Sequence, residues 1–228
     1  VFLHDFNKQK MVRDLIGGLA ALVAMFLFIL PFGIEKVIPQ YVDTLGSYQY
    51  CTVNAFNIWA LFGKNWADQS GTFLFLQYRQ WGTLAIFAAV ILSGVVFFRL
   101  KESKSRYFLS MAVVVSTMFL FSVRMHERYL FPVIMLLLCG FILKPTKELF
   151  LTFVGFSVVQ FMNVAYVLYY YVKFDSTGPT GGIIGITALL TLFFYGFMFY
   201  AIFHRQTIVK QQTKKQTKEK KKPVMSTV

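Results

Sequence analysis

LIGGLAALVAMFLFILPFGI, residues 15–34, decides the fold class. It runs for 20 residues without one Asp, Glu, Lys or Arg. At about 1.5 Å of rise per residue, a helix of that length crosses about 30 Å of hydrocarbon. It has no polar face to offer water. Pro31 near its end is compatible with a span, because neighbouring helices can satisfy the carbonyl it frees. Similar runs recur along the chain, and together they predict six spans at residues 12–34, 81–98, 107–123, 129–143, 149–172 and 183–203. Composition agrees: 57% of the residues are hydrophobic and 14% charged, against about 45–50% and 25% in a water-soluble domain. Residues 35–80 are too polar to span and too apolar to float free. They read as a long outer region, in which YCTVNAFNIWALF, residues 50–62, predicts a short amphipathic helix at the membrane interface. Trp59, Trp66, Tyr78 and Trp81 fit an aromatic belt there. The expectation is an all-α, polytopic membrane protein.

The formal net charge is +13. In a soluble protein that would point to nucleic acid. Here topology accounts for the cations, and no basic and aromatic platform stands outside the spans, so no nucleic-acid partner is expected. With the chain start inside, Lys8, Lys10, Arg13, the loop 99–106, Lys144, Lys147 and the lysine-rich tail 205–228 fall on the cytoplasmic side. The outer side receives Lys36, Lys64, Arg79, Arg124, Arg128 and Lys173. That asymmetry is the positive-inside pattern, and it predicts a multi-pass protein of the cell membrane with both ends of this segment cytoplasmic. The tail carries no aromatic residue and is expected to be disordered. Cys51 and Cys139 fall at different predicted depths, which argues against a bridge. The chain begins at Val1 with no signal peptide, and reads as the C-terminal part of a longer protein.

Two polar constellations fall on the predicted outer side. Arg124, His126, Glu127 and Arg128 lie within five positions at a membrane boundary, where ionisable groups are costly unless paired or hydrated. Arginines grip phosphate by forked hydrogen bonds, His126 can donate to a phosphate oxygen, and Glu127 can orient an arginine or bind a sugar hydroxyl. The same residues also suit an interfacial loop whose charges reach into lipid headgroups. The second constellation is Asn54, Asn57 and Trp59 in NAFNIW. Two amides and an indole suit a sugar, but Asn also caps short helices and Trp anchors at interfaces. Gln160 and Asn163, three apart on one predicted helix, read as packing bonds between helices. His204 reads as interfacial, His4 has no evident partner, and Gly17-Gly18 would let helices approach closely. No phosphate-binding loop, dinucleotide fingerprint, metal-ligand spacing or nucleophile elbow occurs. Soluble-nucleotide chemistry is therefore not expected, nor any cofactor or metal.

YVDTLGSYQYCTVNAFNIWALFG, residues 41–63, followed by Asn65-Trp66 and by RMHERYLFP, residues 124–132, resembles a family of bacterial multi-pass glycosyltransferases of the GT-C fold. That group includes polyprenyl-phosphate-sugar-dependent mannosyltransferases. The resemblance covers residues 41–132. A fainter likeness links His126-Glu127-Arg128 and the stretch 57–59 to eukaryotic glucosyltransferases that build the N-glycan precursor. The resemblance implies an inverting transfer from a polyprenyl-phosphate sugar to a glycan or protein acceptor at the outer face, within the cell envelope. It implies that Arg124, His126 and Arg128 bind the donor phosphate, and that Glu127, Tyr129, Asn54, Asn57 and Trp59 orient it or bind sugar. In this family the catalytic carboxylate sits in the first outer loop, and this chain has no such loop. The general base is expected upstream, with Glu127 and Asp43 as weaker substitutes. A transporter or flippase-like subunit for lipid-linked sugars, or a membrane scaffold, are the other readings.

Overall fold

A computed structural model of the chain describes residues 8–100, 103–175 and 178–220. His4 and the last tail residues, 221–228, lie outside the described residues. The chain divides into two compact units, Val1–Gln49 and Tyr50–Val228, and it is mostly helical.

The first unit holds α1, Lys8–Ile29, a 3-10 turn at Leu30–Phe32, and α2, Ile34–Gly46. Leu15–Phe32 is long and apolar enough to cross a membrane, and none of it is buried against the chain. Within this unit, a Cβ at Gly17 or Gly18 would meet nothing within 4 Å. Pro31 ends the α-helix earlier than the predicted limit at residue 34. Gly33 then turns the backbone at φ +81, a conformation that favours glycine. α2 places Ile34, Val37, Ile38, Tyr41 and Val42 at helical spacing on one side.

The second unit is a bundle of five helices: α4 Tyr78–Arg99, α5 Arg106–Phe121, α6 Phe131–Leu143, α7 Lys147–Phe174 and α8 Gly182–Lys220. Each packs on the next, and the connections are short, so consecutive helices run antiparallel. α5 lies deepest, with Leu109, Ala112, Val113, Phe119 and Leu120 buried. Gly155 of α7 sits where a Cβ would run into the Phe194 ring. Several polar residues inside the helices satisfy themselves locally: Ser116, Thr117, Thr152 and Thr191 each donate to the carbonyl four residues back, at 2.6–2.7 Å. The outward faces stay apolar, as Phe87, Val90, Ile91 and Phe161 show, which suits lipid rather than water.

Among the described residues, four stretches are long and apolar enough to cross a membrane: Leu15–Phe32, Tyr78–Arg99, Lys147–Phe174 and Gly182–His204. The other two expected spans fall on shorter helices, α5 with 16 residues and α6 with 13. The segment 50–62 does not form the predicted amphipathic helix. Only Ile58–Leu61 (α3) is helical. Asn54 takes a left-handed conformation at φ +61 and Asn57 caps the turn that follows, so no helix extends upstream. At the other end, α8 stays helical to Lys220, into the stretch expected to be disordered.

Candidate functional site

The antiparallel order collects the segments 50–77 and 122–130, with residues 175 and 178–181, at one end of the bundle. Two of these pair. β1, Thr52–Val53, runs parallel to β4, Met125–His126, with Thr52 opposite Met125 and Val53 opposite His126. Asn54 bridges to His126 as well. Thr52 ties the strands further, its hydroxyl donating to the Ala55 carbonyl at 2.8 Å and lying 3.3 Å from that of Met125. The NAFNIW and MHERY elements, 60 or more residues apart in sequence, therefore form one cap.

α7 holds both strands of this cap from beneath. Asn163 donates from Nδ2 to the Asn54 carbonyl at 2.7 Å and accepts the Phe56 N–H at 3.0 Å. It replaces one residue of a sheet partner. Gln160, one turn earlier, donates to the Glu127 carbonyl at 2.9 Å. The packing role expected for this pair is thus directed at loops rather than at another helix.

The predicted site residues separate into two groups. Asn57 is fully buried. Its Oδ1 accepts the N–H groups of Trp59 and Ala60, and its Nδ2 donates to the Phe119 carbonyl at 3.0 Å. Asn54 is buried, and its Oδ1 accepts from Asn65 and from the Trp66 indole. The Trp59 indole donates to the carbonyls of Phe121 and Ser122. Asn57 and Trp59 thus hold the cap together with polar atoms already committed, and a sugar cannot reach Asn57 without breaking the cap. The second group reaches the surface. Arg128 is 63% exposed in its side chain and lies 3.5 Å from Glu127. Its guanidinium sits over the exposed Tyr129 ring. Arg124 is half-buried at φ +62, its N–H shared between the carbonyls of Tyr50 and Cys51. Its Nε donates to Gln69 Oε1 at 2.9 Å.

His126 is 5% exposed, edge-on to Tyr129. Burial pulls its pKa below the ordinary value, the Arg128 charge pulls the same way, and Glu127 opposes them. The ring is therefore neutral near pH 7, a hydrogen-bonding group rather than a third cation. Burial, with the Asp68 charge behind it, pushes the Cys51 thiol up to about 12, so it stays protonated and inert. Both cysteines are free. Among the described residues, no cluster of three His, Cys, Asp or Glu side chains forms a metal site.

Beside α3, an apolar groove of about 410 Å³ opens between the cap and the helices, lined by Trp59, Phe73, Trp81, Leu92, Phe121 and Tyr195. The hydroxyl pair Thr117–Tyr195, at 2.8 Å, lies in its wall.

Gln69 is a cap residue that sequence reasoning did not single out, while Asn65 and Trp66, read there as a motif and as part of an aromatic belt, turn out to bond Asn54 within the cap. Trp66 is at φ +61, but nothing in the bare sequence marks a left-handed Trp. Compared with family models, curated proteins and solved structures, the chain matches none of them.

Proposed function

We propose that this chain is the phosphate-binding part of an integral-membrane glycosyltransferase that uses a polyprenyl-phosphate sugar at the outer face of the membrane. The observation that carries the reading is the β1–β4 pairing, which joins the two elements bearing the resemblance into one cap with Arg124 and Arg128 at its surface. Two guanidiniums beside a neutral imidazole suit a lipid phosphate whose negative charge grows as it leaves. The adjacent groove has the lining an isoprenoid tail requires. Six crossings are part of the reading: α1, α4, α7 and α8 at full length, with α5 and α6 as short spans, α6 lengthened by the 3-10 turn Glu127–Leu130 that precedes it. The interfacial helix is reassigned to α2, whose apolar side is exposed. The acceptor is a glycan or protein.

In the full-length protein, Arg128→Ala and His126→Ala are expected to abolish transfer from a polyprenyl-phosphate sugar, read as radiolabelled product. Wild-type rates in both variants would sink the assignment. Binding of the lipid without turnover under any acceptor would favour the transporter reading.

A further inference from the structure

The hairpin that leads into α4 has a tip unsuited to water. β2, Thr72–Phe73, and β3, Leu76–Gln77, pair antiparallel, with Thr72 opposite Gln77 and Phe73 opposite Leu76. Leu74 and Phe75 make the two-residue turn between them. A turn of this length in water is usually built from Gly, Asn or Asp. Here Leu74 holds φ +59 at the first turn position, where glycine relieves the strain. Leu74 and Phe75 are 75% and 76% exposed, so neither is there to fill the core.

The hairpin is firmly rooted. The Tyr78 N–H donates to the Gly71 carbonyl at 3.0 Å, and the Arg79 N–H to the Gln69 carbonyl at 3.1 Å. Phe73 turns inward and packs against Trp59 and Tyr78. The Trp81 indole donates to the Phe73 carbonyl at 3.0 Å, and its ring meets that of Phe75 edge-on, with centroids 5.4 Å apart. Leu74 borders the same groove as Leu84. Trp81 and Leu84 stand three and six residues inside α4 from its start at Tyr78, which is about 5 and 9 Å along the axis. The tip therefore lies back along the span instead of standing off it.

That depth decides the partner. α4 is long and apolar enough to cross a membrane, so its first turn belongs at the interface. A level about 5–9 Å further in is the boundary between headgroups and acyl chains. The surface beside the tip continues in the same character, because Leu84, Phe87 and Ile91 follow one another at helical spacing on α4 and are exposed. At the root, Arg79 is exposed, its Nε donating to Gln77 Oε1 at 2.6 Å.

We propose that the β2–β3 hairpin is a membrane-inserted finger, with Leu74 and Phe75 seated among lipid acyl chains at the cap end of the bundle and Arg79 at the level of the headgroup phosphates. The groove beside it then opens to lipid chains rather than to water. The proposal rests on α4 as a span and not on any reaction.

The test uses the full-length protein in a Cys139→Ala background, in phosphatidylcholine nanodiscs. Phe75→Cys at the tip and Ser70→Cys at the exposed root each carry an environment-sensitive nitrobenzoxadiazole probe. The probe at position 75 is expected to emit to the blue of the one at position 70. Phosphatidylcholine spin-labelled high on its acyl chain should quench the position-75 probe more strongly, and aqueous iodide should quench it less. Leu74→Cys repeats the measurement should Phe75→Cys fail to fold. Spin-labelled lipid that quenches the tip no more than the root would overturn the proposal. If iodide then quenches the tip, the hairpin stands in water. If neither quencher reaches it, protein covers the tip, either this chain or a second copy.

Discussion

His126 shows how burial turns an ionisable residue into a structural gauge. Its pKa in the folded chain lies below the ordinary value of 6.5, chiefly through burial. Below about pH 6.5 the unfolded chain binds a proton that the folded chain refuses. Stability is therefore complete above the ordinary value and falls as pH drops through it toward the lower folded pKa. His126→Gln is expected to flatten this slope between about pH 7.5 and 5. The check is resistance to unfolding by dodecyl sulfate at each pH, and an unchanged slope would show that His126 is not the group responsible. The sequence made the cluster of Arg124, His126, Glu127 and Arg128 legible as an expensive group at a membrane boundary. It did not reveal which member is buried. That depends on Val53 and Asn54 pairing with His126 from more than 70 residues away. The two sugar-reading asparagines were ambiguous for the same reason: capping and ligand binding ask for the same side chain, and only the partners decide. Gln69 was not legible at all, since a glutamine in a polar loop gives no periodic or compositional signal.

At the scale of elements, α7 is both a span and a clamp. Asn163 makes two hydrogen bonds to buried backbone, donating to the Asn54 carbonyl and accepting the Phe56 N–H. Asn163→Ala removes both bonds and is expected to cost about 2–4 kcal/mol. Gln160→Leu removes a single bond to the Glu127 carbonyl and also removes Oε1, a buried oxygen with no hydrogen-bond partner. Its cost should be smaller, about 1 kcal/mol. Unfolding in mixed micelles measures both, and equal costs would refute the clamp. The helices themselves were readable from apolar runs, because lipid demands length and hydropathy before anything else. Their edges were readable to within a few residues, as the expected span 149–172 and α7, Lys147–Phe174, illustrate. The segment 50–62 was misread because its apolar spacing fits a helix while its asparagines impose turns. Amphipathic spacing is carried instead by α2, where no residue with a committed turn conformation interrupts it.

For the whole molecule, the alternation of the five helices of the second unit fixes which charges share an end. Arg99, Lys104, Arg106, Lys144 and Lys147 lie at the end opposite the cap, where Lys144 also donates to the Ile202 carbonyl near the base of α8. Lys64, Arg79, Arg124, Arg128 and Lys173 lie at the cap end, among Asp68, Glu127 and Asp175. Short basic loops are retained in the cytoplasm, so the cap is expected to face outward. The orientation is tested with single cysteines in a Cys139→Ala background. Cys51 is buried, and a thiol pushed up to about 12 is a poor nucleophile, so it adds little background. A cysteine at Lys64 or Lys173 is expected to react with a membrane-impermeant maleimide in intact cells. A cysteine at Lys104 should react only after the membrane is opened. The reverse pattern would put the cap in the cytoplasm, where soluble nucleotide sugars are available, and the outer-face transfer reading would fail with it. Labelling at both ends from outside would mean that the bundle does not cross the membrane, despite its three stretches long and apolar enough to do so, in α4, α7 and α8.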